Sequence, residues 1–327
     1  MKLCFSFVQL CGTAYTESNI DFMKRYLSIL ISLFTTIIFA QSKIAKGFIL
    51  NEATKQPIPY VNISILKSQV GTSSDDDGSY SLEISEADLK NGIILTSMGY
   101  QDSILPVSQF VDQKTILLKP NTEQLNEVVI SKKFEEEFLV VNPIKKRKIK
   151  GASMLTHENP WILALFFPSS ANYSNYENLH KVKFYLKSTN FNKSKPSKFR
   201  VRIFETDENG LPGNDMLNES LLVETIKNQK EVVLDISNYN LKFPKNGIYI
   251  AIEWLYIPFN AFIATYKTKT EKAHNQLGYA PNLTFFYDKP KNFKTAIFAS
   301  GIWFDFPMYG MTKEEVMIPA ISLTLSN

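Results

Sequence analysis

Catalytic chemistry would need a base, a nucleophile or a metal ligand, and the sequence offers few side chains of these kinds. Imidazole is limited to three histidines, His157, His180 and His274, and none of them stands at a spacing typical of zinc ligands. The His-Glu-x-x-His pattern of metalloproteases is absent, as are a Gly-x-Ser-x-Gly elbow and a glycine-rich phosphate loop. We therefore expect structural or surface roles for the histidines, no catalytic residues and no enzymatic activity.

Two loops are rich in carboxylate and amide oxygens, the ligands that Ca²⁺ prefers in proteins. The first, Asp75–Asp77, precedes Gly78 and is typical of a turn. The second contains Asp207, Asn209 and Asp215 around a Gly-Leu-Pro-Gly turn, which supplies further carbonyl oxygens. We predict these three residues as the candidate Ca²⁺ ligands, although no EF-hand pattern is present. No other cofactor is expected.

Aromatic side chains could form a binding surface, because sugar rings stack on flat aromatic faces. The sequence has three tryptophans, Trp161, Trp254 and Trp303, and its carboxy-terminal half is rich in Phe and Tyr. We predict Trp254 and Trp303 as ligand-binding residues for a glycan or a protein. Many of these aromatic residues alternate with polar residues, as core residues of strands do, so packing in a core is the alternative interpretation.

An amino-terminal targeting segment precedes the part of the chain that is expected to fold. Positive charge at Lys24 and Arg25 is followed by an apolar or hydroxylic run over residues 26–39 and by the small residue Ala40, which is typical of a signal peptide. The run is shorter than the roughly 20 apolar residues that span a membrane, although an uncleaved anchor is the alternative. Residues 23–40 are therefore predicted to be a signal peptide, with no transmembrane segment in the mature protein.

Residues 1–22 do not fit this targeting pattern, because Glu17 and Asp21 place negative charge ahead of it. We expect translation to begin at Met23. Both cysteines of the sequence precede Met23 and would then be absent, which excludes a disulfide framework, a thiol nucleophile and a cysteine-ligated metal. Export would place the protein in the periplasm, in association with the outer membrane or at the cell surface.

Charge and composition favour a folded protein that does not bind nucleic acid. The formal net charge is +4, and the one dense basic cluster lies at residues 145–150, whereas nucleic-acid binding would need a basic stripe. We interpret residues 133–153, which include this cluster, as a charged linker. A hydrophobic content of 44% and an aromatic content of 13% are enough to form buried cores, and the length suggests about two domains.

Hydrophobic periodicity predicts an all-β protein with a strand-rich region on each side of this linker. Residues 43–132 contain short strands at regular spacing, with turns between them, and predict a small β-sandwich. Residues 154–327 contain nine or ten candidate strands, among them Phe199–Phe204 and Gly247–Trp254, in which apolar residues recur at every second position. This second region predicts a larger, jelly-roll-like sandwich of two sheets.

The first region carries an ordered series of short motifs. In chain order they are Lys46–Ile49, Pro57–Ile63, Gly71–Thr72, Asp77–Leu82 and Ser97–Tyr100. The series resembles the carboxypeptidase-regulatory-like domain, which is common in envelope proteins of Bacteroidetes, including the amino-terminal extension of SusC-type TonB-dependent receptors. The resemblance implies a transthyretin-like β-sandwich that carries no catalytic residues itself. The second region is only architecturally similar to galactose-binding-like and jelly-roll modules.

The segment Glu127-Val128-Val129-Ile130 is similar to the stretch at which such receptors contact TonB. An extended apolar segment can add as a strand to the sheet edge of a partner, so these four residues are candidate partner-binding residues. The alternative is that they form the last strand of the first sandwich. Too few residues follow Ile130 for the large barrel of a receptor.

Together these observations predict an exported, non-enzymatic protein of the cell envelope. Its partner would be an envelope protein or a glycan, bound by loops or by an aromatic face, and the first sandwich would act as a spacer or docking module. One alternative is a polysaccharide-acting hydrolase with a carboxylate pair in the second region. Another is an accessory partner of a TonB-dependent receptor that docks through residues 125–130.

Overall fold

The structure is a computed structural model. It describes residues 42–121, 137–145, 149, 153–156, 162–187, 195–266, 274–288, 293–308 and 315–327. The predicted signal peptide (23–40), the residues before it and the predicted partner-binding segment (127–130) lie outside the described residues.

The first domain is a sandwich of two sheets built from seven strands. The strands are β1 (Ser42–Asn51), β2 (Asn62–Ile65), β3 (Gly71–Ser73), β4 (Ser79–Ser85), β5 (Gly92–Thr96), β6 (Ser103–Pro106) and β7 (Thr115–Leu118). One sheet has the order β4-β1-β7, and the other has the order β3-β2-β5-β6. A 3-10 helix, Glu86–Lys90, and a short α-helix, α1 (Val107–Asp112), complete the domain.

Alternation along the strands explains how these two sheets enclose a core. Tyr80, Leu82 and Ile84 alternate with polar residues along β4, and all three side chains are buried. The ring of Tyr80 lies 5.0 Å from the ring of Phe110 in α1, and burial raises the pKa of the Tyr80 hydroxyl to about 12. The predicted small sandwich is therefore confirmed.

The predicted turn at Asp75–Gly78 is present, but it is not a hairpin. The Gly78 amide donates to the Asp75 carbonyl at 3.0 Å, and Gly78 has a φ of +77°, which glycine adopts without steric cost. However, β3 pairs with β2, whereas β4 pairs with β1. The turn therefore carries the chain from one sheet to the other.

The second domain contains fifteen strands within the described residues. They are β8 (Phe138–Val141), β9 (Ser153–Thr156), β10 (Ile162–Phe167), β11 (Asn178–Tyr185), β12 (Lys198–Thr206), β13 (Pro212–Asp215), β14 (Leu221–Glu224), β15 (Glu231–Asp235), β16 (Ile248–Trp254), β17 (Ala261–Tyr266), β18 (His274–Asp288), β19 (Thr295–Ala299), β20 (Ile302–Asp305), β21 (Val316–Pro319) and β22 (Ile321–Ser326). Short 3-10 helices lie at Ala171–Tyr173, Ser237–Tyr239 and Pro258–Asn260.

Two sheets of the second domain face each other across the largest core. The seven-stranded sheet has the order β13-β12-β16-β10-β19-β20, with β14 also paired to β12, and the four-stranded sheet has the order β15-β11-β22-β8. Side chains such as Phe184, Ile250 and Leu323 meet between them. A third sheet is formed by β9, β17, β18 and β21. The predicted all-β sandwich class is confirmed.

Several predicted boundaries in the second half were wrong. Residues 138–141, assigned to the charged linker, form β8, which pairs with β22 and completes the four-stranded sheet. Two of the nine or ten candidate strands cover two observed strands each: residues 297–304 form a hairpin of β19 and β20, and residues 318–325 are divided between β21 and β22. These two divisions and β8 account for part of the difference between the nine or ten predicted strands and the fifteen in the described residues.

The two domains pack against each other through one residue in particular, Tyr60. This residue has a left-handed backbone with a φ of +56°, and its buried side chain forms an apolar cluster with Leu255 and Ile257 of the second domain. Its carbonyl accepts a hydrogen bond from Nη2 of Arg200, on β12, at 2.9 Å. The first domain is therefore anchored on the second by both apolar and polar contacts.

In the part of the chain that the structure describes, no helix has the length and apolar character needed to cross a membrane.

Candidate functional site

The candidate site lies on the side of the seven-stranded sheet that points away from the large core, which we call the outer face. Every residue of β16 is buried, so both sides of this central strand are covered. Ile250 and Ile252 point into the large core, whereas Tyr249 and Ala251 belong to a separate cluster on the outer face. The outer face therefore has a packed surface of its own.

Three alanines at the centre of the outer face make room for larger rings. Ala164 of β10 lies opposite both Ala251 of β16 and Ala296 of β19 in the strand register. All three are fully buried. A row of methyl groups across three strands leaves a shallow trough, and aromatic side chains from the surrounding strands fill it.

The indole of Trp303 lies over this trough and contacts two phenylalanines. Its ring centroid is 5.2 Å from that of Phe204, in an edge-to-face arrangement, and 5.4 Å from that of Phe298. We call these three residues the Trp303 cluster. Phe204 is buried, whereas Trp303 and Phe298 are partly exposed. The cluster thus presents a positioned aromatic surface to the solvent, with geometry that favours aromatic pairs.

Carboxylates flank the outer face beside Tyr249. The Tyr249 hydroxyl donates to the Gly210 carbonyl at 2.6 Å. Burial raises the pKa of this hydroxyl, and the negative charges of Asp305 and Asp207 raise it further, so both carboxylates lie within electrostatic reach of Tyr249. Asp305 is exposed and follows Trp303 by two residues, which places a hydrogen-bond acceptor on the strand that carries the indole.

A buried ionic group lies on β12 and β16, at the end of the outer face that contacts the first domain. Nη1 of Arg200 donates to Oε1 of Glu253 at 2.8 Å, and both residues are 1% exposed. Nε of Arg202 donates to Oδ2 of Asp215 at 2.7 Å, and its Nη1 lies 3.7 Å from Oε2 of Glu253. The Arg202 guanidinium also lies 4.7 Å from the centroid of Phe204, which connects the ionic group to the Trp303 cluster.

Burial acts against the charged forms of two carboxyl groups in this region. It raises the pKa of Asp215, and the opposing effect of Arg202 does not fully compensate. It also raises the pKa of Asp102, on the first domain, against a smaller effect of Arg202 in the opposite direction. Arg202 therefore interacts with carboxylates of both domains.

The predicted Ca²⁺ ligands Asp207, Asn209 and Asp215 form hydrogen bonds with other groups of the protein. Oδ1 of Asp215 accepts the Leu217 amide at 3.0 Å, and its other oxygen binds Arg202. Oδ1 of Asp207 accepts the amides of Asn209 and Leu211, as in an Asx turn. The described residues contain no group of three acidic, histidine or cysteine side chains suited to a metal ion.

The two predicted ligand-binding tryptophans have different environments. Trp254 is 0% exposed, points into the large core and donates from Nε1 to the Pro281 carbonyl at 2.7 Å. Its assignment as a ligand-binding residue is therefore corrected, because neither face of the ring is available for stacking. Trp303 lies on the outer face and is partly exposed, as a stacking residue must be.

Sequence patterns did not single out Arg200, Arg202 or Glu253. In β12 the two arginines alternate with Phe199 and Val201, which is the ordinary pattern of a half-exposed strand. The one available signal was Glu253, a carboxylate near the end of the otherwise apolar run of β16, which must be buried on both faces and therefore needs a cationic partner.

The comparisons with known proteins concern the first domain. Residues 45–130 match the model of the CarboxypepD_reg-like domain. The chain is also 35% identical, over 136 residues, to the TonB-dependent receptor SusC of Bacteroides thetaiotaomicron, and the match covers 41% of this chain and 12% of the receptor. The chain thus spans about an eighth of the length of that relative. As the motifs indicated, the chain contains a CarboxypepD_reg-like domain at residues 45–130.

Proposed function

We propose that this is an exported, non-enzymatic protein of the cell envelope whose second domain binds a glycan at the Trp303 cluster. The similarity of part of the chain to a TonB-dependent receptor supports an envelope location. The observation that carries the binding proposal is the partly exposed indole of Trp303, which Phe204 and Phe298 hold over the alanine trough.

The chemistry of this surface suits a sugar ring. The C–H face of a pyranose packs against an aromatic ring, and its hydroxyl groups need hydrogen-bond partners at the edge of that ring. Asp305 supplies an exposed carboxylate acceptor two residues from Trp303. Holding the indole against two other rings restricts its rotamers before the ligand arrives, which lowers the entropic cost of binding.

The two carboxylates bound to arginine near the outer face are not arranged for hydrolysis. Glycoside hydrolysis needs one carboxylic acid and one carboxylate that face the substrate. Glu253 and Asp215 are both bound to arginine, and Glu253 is fully buried beneath the interface with the first domain. Neither is available to donate a proton to a substrate.

Replacing Trp303 with alanine is expected to weaken glycan binding by about tenfold or more, because central aromatic side chains contribute on the order of 2 kcal/mol at binding surfaces. The measurement is isothermal titration calorimetry with maltoheptaose, cellohexaose and xylohexaose. The matched control is Phe304→Ala, since Phe304 is exposed and adjacent in sequence but points to the opposite side of β20. Equal effects of the two substitutions, or no binding by the wild-type protein, would contradict the proposal.

The relation to a TonB-dependent receptor favours a second candidate function, docking to a partner protein through the carboxy-terminal end of the matched domain. The predicted contact is Glu127-Val128-Val129-Ile130. Replacing Val128 and Val129 with aspartate is expected to abolish binding of a purified TonB carboxy-terminal domain in biolayer interferometry, since strand addition requires an apolar extended segment. Binding that is unchanged by this double substitution would remove these residues as the contact.

A further inference from the structure

The hairpin that carries Trp303 is supported by the first domain as well as by its own sheet. Ser300 and Gly301 connect β19 to β20 and have φ values of +52° and +85°, as in the type I′ turn of a two-residue hairpin. Within the described residues, β20 pairs only with β19. Among the strands that the structure describes, the sheet thus supports β20 from one side.

Further support comes from the connection that follows β2 in the first domain and from β5. The Ser300 hydroxyl donates to the Ser68 carbonyl at 2.7 Å. Gly301 is so close to the first domain that a Cβ on this residue would lie 2.6 Å from Cδ2 of Leu66 and 3.3 Å from Cγ2 of Ile94. The tip of the hairpin is thus in direct contact with the first domain.

The first domain is itself fixed to the strands beneath the Trp303 cluster. Arg200 binds the Tyr60 carbonyl, and the Tyr256 amide donates to the Ser73 hydroxyl at 3.0 Å. These contacts hold the first domain against β12 and the residues after β16. The hairpin tip and the strands beneath the aromatic cluster therefore both contact the first domain.

We infer that the first domain positions the Trp303 ring and thereby sets the affinity of the outer face for its ligand. This inference rests on the proposed glycan site, which it extends with a role for the first domain in regulation of that site. Trp303 lies two residues from Gly301, so displacement of the tip would move the indole relative to Phe204. A partner that pulled the first domain away would weaken ligand binding without touching the site.

The test is the substitution Gly301→Ala, which adds a methyl group at the contact between the hairpin and the first domain. The new methyl group collides with Leu66, whereas the second substitution Leu66→Ala removes the colliding atom and is expected to restore the contact. The double variant is also the control, because it keeps alanine at the φ of +85° but lacks the colliding atom. This control separates backbone strain from displacement of the hairpin.

The first measurement needs no ligand. In a Trp161→Phe background, acrylamide quenching reports mainly on Trp303, because Trp254 is fully buried. Gly301→Ala is expected to raise the quenching constant, on the order of twofold, as the overpacked hairpin moves off its support. The Gly301→Ala, Leu66→Ala double variant is expected to stay near the wild-type value.

The second measurement is oligosaccharide affinity by calorimetry, where Gly301→Ala is expected to weaken binding by about fivefold, equivalent to about 1 kcal/mol. Unchanged quenching in Gly301→Ala would overturn the positioning role, even if wild-type protein binds the sugars. Altered quenching with unaltered affinity would overturn the link to binding. If the wild-type protein binds none of the sugars, the proposed function fails, and the quenching data alone decide whether the first domain positions the ring.

Discussion

Replacing Arg200 with alanine is expected to destabilise the protein by about 3–5 kcal/mol, which is the usual cost of removing one partner from a buried ion pair. The substitution would leave Glu253 charged and buried, and it would also remove donors from the Ser220 hydroxyl and the Tyr60 carbonyl. Arg202 cannot compensate fully, because its Nη1 is 3.7 Å from Glu253 and its Nε is bound to Asp215.

Urea unfolding followed by circular dichroism would measure this effect. The control is Lys242→Ala, which removes an ion pair with Glu177 in which both side chains are more than 60% exposed. Exposed pairs of this kind contribute at most about 1 kcal/mol. A loss for Arg200→Ala as small as that for Lys242→Ala would show that the interface does not depend on the buried ionic group.

The second large effect is expected for Trp254→Ala, at about 3–5 kcal/mol of lost stability. The indole fills the large core between the two sheets, and its removal would leave a cavity as well as an unsatisfied Pro281 carbonyl. Trp303→Ala should cost clearly less, since its ring is partly exposed and the trough beneath it is lined by alanines.

Comparing the two tryptophan variants separates stability from binding. We expect Trp254→Ala to lower the unfolding midpoint strongly, and Trp303→Ala to lower oligosaccharide affinity with a small change in that midpoint. Circular dichroism is the appropriate probe of unfolding, because both substitutions remove a fluorophore. The opposite pattern, with Trp303→Ala the more destabilising of the two, would show that its ring is mainly a core residue.

Much of the first domain could be predicted from the sequence, because the patterns that define its strands and turns lie within a few consecutive residues. Alternation along Tyr80–Ile84 defines the buried side of β4, and the Asp-Gly pair defines the turn before it. Partners of each strand were harder to predict. In the sequence, residues 138–141 are a short apolar stretch within a charged segment. In the structure they pair with β22, which is far away in the sequence.

In the candidate site too, alternation along a strand could be predicted, whereas the pairing of strands that are distant in the sequence could not. The alternation of Ile248, Ile250 and Ile252 correctly identified a core face of β16, but it said nothing about the opposite face, which is also covered. Trp254 and Trp303 could not be told apart, because each lies in a short apolar strand. Their difference arises from sheet order, which places β20 as an edge hairpin folded toward β12.

The left-handed backbone of Tyr60 limits which related domain could replace the first one. Tyr60 lies in the turn before β2. Its carbonyl binds Arg200, and its side chain packs against Leu255 and Ile257 of the second domain. A related domain in the position of the first one would have to provide the same carbonyl and apolar contacts. A related first domain without this backbone turn would leave Arg200 without one of its acceptors.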